Sequence, residues 1–303
     1  MILAATTAGC GDNGANAGTS KAGVTLGFIN GATTEFHTCL QKSLESEATR
    51  RNVTVVTVNS KQNAKTELAN VEGLIAKRVD AIVVQTVDST ALKADIERAN
   101  AAKIPIFLTS VVPADQSGIL GAVAVDLNQV GLLDASWVSN DAVGAPAEAA
   151  VVAGAPGAAS DLLVKGFTDT LPKNVEVVAS EPGMYNRGKA AAVAARMIAA
   201  HPGLDYAFVA NEDMAVGVSE AFRSAGKDVK IVTVNGTDAG LAGIRDGRFA
   251  ATVANPASKL GTKAIENTLS LLDSEPINKI DYVPISLIDK AALDQAPSYC
   301  LTG

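Results

Sequence analysis

Aromatic residues are scarce in this chain: Phe, Tyr and Trp together make up 4% of its 303 residues. Its core must therefore be aliphatic, and a hydrophobic content of 48% is enough to build one. Histidine occurs twice and cysteine three times. Such counts exclude most zinc or haem arrangements that need several of these ligands. Basic residues are also in deficit, 25 Lys and Arg against 32 Asp and Glu, a formal net charge of -7. An acidic balance argues against a nucleic-acid surface. No apolar run reaches the roughly 18 residues needed to cross a bilayer. Neither G-x-x-x-x-G-K-[ST] nor G-x-G-x-x-G occurs, so phosphate-cradling loops of those spacings are missing. What is present suits an ordered globular chain of about two domains.

The N-terminal stretch is small and apolar, with no basic residue before Lys21. Thr7-Ala8-Gly9-Cys10 followed by a Gly/Asn/Ser tether resembles a bacterial lipoprotein processing site whose signal peptide has lost its start. On this reading residues 1–22 are leader and tether, and Cys10 carries the lipid. Thr7 stands where Leu is usual. Cys39 and Cys300 remain; an exported chain allows them to pair, and two separate thiols are the alternative.

Hydrophobic periodicity gives strands at 24–29, 53–58, 80–85, 104–109 and 119–125. Helical spacing fills the gaps at 34–51, 64–77 and 90–102, the last with Asp88-Ser89 as its cap. The alternation resumes with strands at 149–153, 175–179, 206–210, 230–234 and 250–254 and helices at 128–140, 160–171, 187–200, 213–225, 239–246 and 258–272. One last strand is expected near 282–288. Strands alternating with helices of 10–15 residues mean βαβ units and parallel sheets. Ten or more strands exceed one comfortable open sheet, so the expected fold is α/β with two doubly wound lobes.

Ligands of open α/β sheets bind beyond the carboxyl ends of the strands. The residues there are Asn30 onward, Gln85, Ser110, Asn211, Asn235 and Asn255, mostly amides and none of them charged. An amide donates and accepts, matching a hydroxyl, which does both. The competing reading is that amides after strands simply cap the next helix.

Three stretches carry a family resemblance: 67–72 (Glu67-Leu68-Ala69-Asn70-Val71-Glu72), 200–215 (with Asn211-Glu212-Asp213-Met214-Ala215) and 247–255, together with Asn235-Gly236-Thr237. Through them the chain resembles periplasmic sugar-binding proteins of the ribose-binding type, the type I solute receptors of ABC importers, over about 24–288. The resemblance implies two lobes, 23–125 plus 256–284 and 126–255 plus 285–303, closing about a three-strand hinge. It implies no catalysis and no cofactor or metal. The partners it implies are a small neutral ligand and a membrane permease, and the chain is expected to be a monomer. Carried over position by position, the cleft uses Thr34, Phe36, His37, Gln85, Ser110, Tyr185, Asn211, Asn235 and Asn255. Phe36 and Tyr185 would cover apolar C–H faces. His37 would stack and hydrogen-bond, or else be a surface histidine at a helix start.

The chain also departs from the family. An Asp-Arg pair common in pyranose binders is Ser110-Val111 here; the Arg expected near the start of helix 160–171 falls at Leu163, with Asp161 beside it; and a usual Asp is Asn235. Charge-assisted bonds are about twice as strong as neutral ones. A cleft without them suits a neutral polyhydroxy compound, a tetritol or pentitol before a neutral monosaccharide, with Asp161 a further acceptor for a pair of hydroxyls. Three rival functions compete with this reading. Glu35, Asp161 and Asp213 could be nominated as glycosidase carboxylates, but no Ser-His-Asp or Cys-His motif accompanies them. A transcription regulator needs about 50–60 residues of helix-turn-helix ahead of the first strand, and 23 precede Val24. A sugar receptor feeding a sensor or chemoreceptor would share the same cleft.

Overall fold

The computed structural model describes residues 23–88 and 91–301. The processing site and Cys10 lie outside the described residues, as do Ser89 and Thr90. The first half alternates β1 (Thr25–Asn30), α1 (Glu35–Arg50), β2 (Thr54–Asn59), α2 (Ala64–Ala76), β3 (Ala81–Val84), α3 (Leu92–Ala101), β4 (Ile106–Ser110) and β5 (Gly121–Ala124). The second runs α4 (Leu127–Ala142), β6 (Ala147–Ala153), α5 (Ala158–Thr170), β7 (Val175–Pro182), α6 (Arg187–Ala200), β8 (Leu204–Val209), α7 (Glu212–Ser224), β9 (Lys230–Asn235), α8 (Asp238–Arg245) and β10 (Ala251–Ala254). After α9 (Ala257–Leu272) come β11 (Ile280–Tyr282) and β12 (Ser286–Asp289).

Two six-stranded sheets result, ordered β11-β5-β4-β3-β1-β2 and β12-β10-β9-β8-β6-β7. Every pairing is parallel except β12 with β10. Strand β3 is buried at all four positions, as expected of a strand covered on both faces. Five of the seven Phe residues are fully buried, Phe28, Phe107, Phe167, Phe208 and Phe222. Each such burial is worth about 1.5–3 kcal/mol, so the few aromatics anchor the core.

One expectation needs correction. The single last strand is two, β11 in the first sheet and β12 in the second, because the stretch around Pro284 changes sheets. Helix α3 begins at Leu92 with Ala91 at the cap position; the expected Asp88-Ser89 cap runs through Ser89, outside the described residues.

The chain crosses between sheets at 125–126, at 255–256 and at 283–285. Helix α9 returns to pack on α1, β4 and β5. A Cβ on Gly261 of α9 would lie 2.6 Å from the Leu40 carbonyl oxygen, so only glycine lets α1 and α9 approach this closely.

Beyond β12, the 3₁₀ turn Leu293–Gln295 stays beside α8 and β12. The chain then reaches the first sheet's helices. Ser258 N–H donates to Tyr299 O at 3.0 Å and Ser258 Oγ to Ser298 O at 2.7 Å. Cys300 is disulfide-bonded to Cys39 of α1, their Cα atoms 4.9 Å apart.

Candidate functional site

On the first sheet, the loop after β1 and the start of α1 meet the end of β3. Gly31 N–H donates to Gln85 Oε1 at 3.1 Å. A backbone N–H is only a donor, so the orientation of the Gln85 amide is fixed. His37 Nε2 lies 2.9 Å from the same oxygen and must therefore carry the proton. Its Nδ1 then accepts from Thr34 Oγ1 at 2.7 Å. Burial pulls the His37 pKa down to about 4, with the Gln85 bond opposing that in smaller measure. The imidazole is neutral and half-buried. Both its nitrogens are engaged within the protein, so His37 holds Thr34 and Gln85 in place. Phe36 stands edge-on to it, ring centroids 5.4 Å apart.

Two further strand ends carry unpartnered buried atoms. Asn30 is 1% exposed; its Nδ2 donates to His37 O and to Gln41 Oε1, while Oδ1 has no partner. Ser110 Oγ is also buried without a partner. Ser110 has φ +75°, and Val111 N–H donates to Thr109 O at 3.0 Å, a tight γ-turn.

On the second sheet, Asn211 caps α7 by accepting from Met214 N–H at 2.9 Å. The capping reading of this amide is the correct one for its oxygen; Nδ2 is left over. Asn235 sits at φ +136°, a backbone state that survives only where its surroundings fix it. Glu212 does so. Its carboxylate accepts from Gly236 N–H (2.7 Å), Thr237 N–H (2.8 Å), Thr237 Oγ1 (2.5 Å) and Thr252 Oγ1 (2.6 Å). Burial raises its pKa, and these four donors pull the other way. Asn255 donates its N–H to Asn235 O at 2.9 Å, and its buried Oδ1 lacks a partner. In the first sheet Glu67 does for the loop after β3 what Glu212 does here, accepting from Thr86 Oγ1 (2.6 Å) and Val87 N–H (2.9 Å).

Met184 and Tyr185 both have positive φ, 61° and 49°. They turn the Tyr185 ring onto Gly154, where a Cβ would fall 2.2 Å from ring carbon Cζ. Burial pushes the Tyr185 hydroxyl up to about 12, and nearby Asp161 adds to this. Asp161 is exposed in the first turn of α5, whereas Leu163 is buried in the core against α4, so Leu163 cannot stand in for the family's arginine. Glu35, in the first turn of α1, has its pKa raised by burial and then by Asp238 and Asp213. These acids begin α8 and α7, so helix starts from the two sheets face each other.

The structure thus joins Thr34, Phe36, His37 and Gln85 into one cluster, Asn235 with Asn255, and Tyr185 with Asp161. Glu212 is absent from the residues that sequence nominates for the cleft, and Asn30 is nominated only as a strand end. Asn30 was visible as an amide ending a strand; burial of an acid inside Asn211-Glu212-Asp213 leaves no sequence signal. Among the described residues no group of three or more His, Cys, Asp or Glu could hold a metal.

Residues 26–276 match the periplasmic binding protein domain. The chain is 30% identical over 253 residues to the ribose import binding protein of Bacillus subtilis, covering 83% of this chain and 82% of that one. It is 26% identical to the xylitol-binding protein of Mycolicibacterium smegmatis, over 82% of this chain and 71% of that one. A crystal structure from Mycobacterium smegmatis in complex with β-D-fucofuranose superposes with TM-score 0.84 at 26% identity, covering 90% of this chain and 94% of that one. The first two are named for the solute they bind, and the third holds one. The chain belongs to the periplasmic binding protein family, as a type I sugar-binding member of the ribose type.

Proposed function

We propose that this protein captures a neutral polyhydroxy compound, a tetritol or pentitol first, and delivers it to an ABC permease outside the cytoplasm. The single observation behind this reading is the set of buried oxygens without partners at the strand ends, Asn30 Oδ1, Ser110 Oγ and Asn255 Oδ1. Leaving such an atom unbonded costs about 1–3 kcal/mol, and all three sit on uncharged side chains. Hydroxyl groups would satisfy all three oxygens with no counter-ion. The two sheets would act as lobes, 23–125 plus 256–284 and 126–255 plus 285–303, closing about the three crossings. Closure would bring Thr34, Phe36, Gln85 and Ser110 against Tyr185, Asp161, Asn211, Asn235 and Asn255. The xylitol-binding relative favours the sugar alcohol. The ribose and fucofuranose relatives favour a second reading, a neutral monosaccharide. Lipidation at Cys10 would hold the receptor at the membrane.

The test is a thermal-shift screen of tetritols, pentitols, hexitols, aldoses and ketoses. A ligand at about 100 times its Kd adds roughly 2.7 kcal/mol. A shift with a short polyol and none with ribose supports the first reading; shifts with cyclic sugars alone overturn it in favour of the second; no shift at all overturns both.

A further inference from the structure

The C-terminal segment makes a further passage between the two halves. It leaves β12 of the second sheet, turns at Leu293–Gln295, and ends on α1 and the start of α9 through the Cys39–Cys300 bond and the two Ser258 hydrogen bonds. What it delivers there is Tyr299. The ring is 3% exposed and packs in one apolar cluster with Cys39 and Ala257, with Phe36 and Cys300 against it. Phe36 is the cleft aromatic of α1. Ala257 lies two residues past Asn255, just beyond a hinge crossing. The hydroxyl, Oη, is buried and bonded to nothing. A tyrosine buried for packing alone usually finds a partner for its hydroxyl or gives way to Phe. Burial first, then Glu212 on the second sheet and Glu35 on the first, raise the hydroxyl's pKa, so it stays a neutral donor and acceptor between the two halves.

We propose that Tyr299, held by the disulfide-fastened C-terminal segment, is a ligand-contacting residue at the hinge end of the cleft. It deepens the polyhydroxy reading and rests on it. Like Asn30 Oδ1 and Asn255 Oδ1, its oxygen is buried without a partner, and as a donor it supplies what the two amide oxygens cannot. It also gives the disulfide a role in binding, since Cys300 is its direct neighbour in the chain.

The test compares full-length wild type, Y299F and the double variant C39S/C300S. Erythritol, xylitol, ribitol and D-ribose serve as calorimetric probes, with melting curves recorded without ligand. Y299F should weaken the probe that wild type binds by about five- to tenfold, the loss of one neutral hydrogen bond. Its ligand-free Tm should be unchanged or raised, because the hydroxyl has no partner to lose. C39S/C300S should weaken binding at least as much. Y299F affinity within twofold of wild type overturns the proposal, and so does a fall in its ligand-free Tm of more than about 3 °C, roughly what one lost internal bond would cost. If wild type binds no probe, the polyhydroxy reading fails on its own. The ligand-free melting then decides on Tyr299, a kept Tm supporting a hydroxyl left free for some other guest and a lowered one overturning it.

Discussion

Replacing Asp134 with Asn should change how stability depends on pH. Asp134 is completely buried on α4, which lies against α5 and over β9, β10 and β12, and neither carboxyl oxygen has a partner. Burial, and then the nearby Glu212, raises its pKa well above the usual carboxylate value. A raised pKa means that the folded protein holds the proton after the unfolded chain has released it near pH 3.9. The residue's contribution is therefore fully present below that value and is lost as pH rises towards the folded pKa. Within that window each pH unit costs wild type about 1.4 kcal/mol. Asn cannot titrate. Between pH 4.5 and 5.5 the stability of D134N relative to wild type should climb by about 1.4 kcal/mol, or about 3 °C in Tm for a chain of this size. The unbonded amide adds a constant offset that the slope ignores. D134L should show the same slope with a higher baseline, since it buries no polar group. Urea or thermal unfolding at half-unit pH steps is the assay. Parallel curves for wild type and both variants would refute the reasoning, because they would mean that Asp134 ionises in the folded state or is reached by water.

Three shorter predictions concern the cleft. G154V should push the Tyr185 ring off its seat and weaken ligand binding by tenfold or more, with a smaller effect on Tm; calorimetry against melting separates the two. His37 stays neutral down to about pH 4, so affinity should be flat from pH 8 to pH 5.5. Stability should fall by up to about 1.4 kcal/mol per unit as pH drops from 6.5 towards 4, because the unfolded histidine takes the proton first, and H37N should remove that slope. E212Q keeps the size but turns one acceptor oxygen into a donor, facing either Gly236 N–H or Thr237 N–H. It should cost about 3 kcal/mol in urea unfolding and weaken binding through Asn235.

Much of the architecture was legible because the determinants are local. The run Ala81–Val84 reads as a covered strand whatever surrounds it, and the helical spacing over 64–77 marks α2, whose Val71 and Leu74 are buried. The split of the last strand was not, since three-residue β11 and four-residue β12 are defined by which sheet each joins. At the site, residue types at strand ends pointed to Gln85, Ser110 and Asn255. Their roles depended on contacts over long separations. His37 meets Gln85 across 48 positions and Glu212 meets Thr252 across 40, so the sequence could nominate His37 without showing that both its nitrogens were taken.

The path of the C-terminal segment has a mechanical consequence. Strand β1, at the start of the described chain, lies in the first half of the molecule, and Cys300, near its end, is bonded to Cys39 of that half. A tether running through residues ahead of Gly23 would load that half alone. The second half would then be an arm held by the three crossings and the C-terminal segment, and any swing of the pair would be a displacement of that arm relative to a stationary mount. A reporter dye at Val143, 84% exposed at the far end of α4, would travel with the arm, whereas one on α1 would stay with the mount.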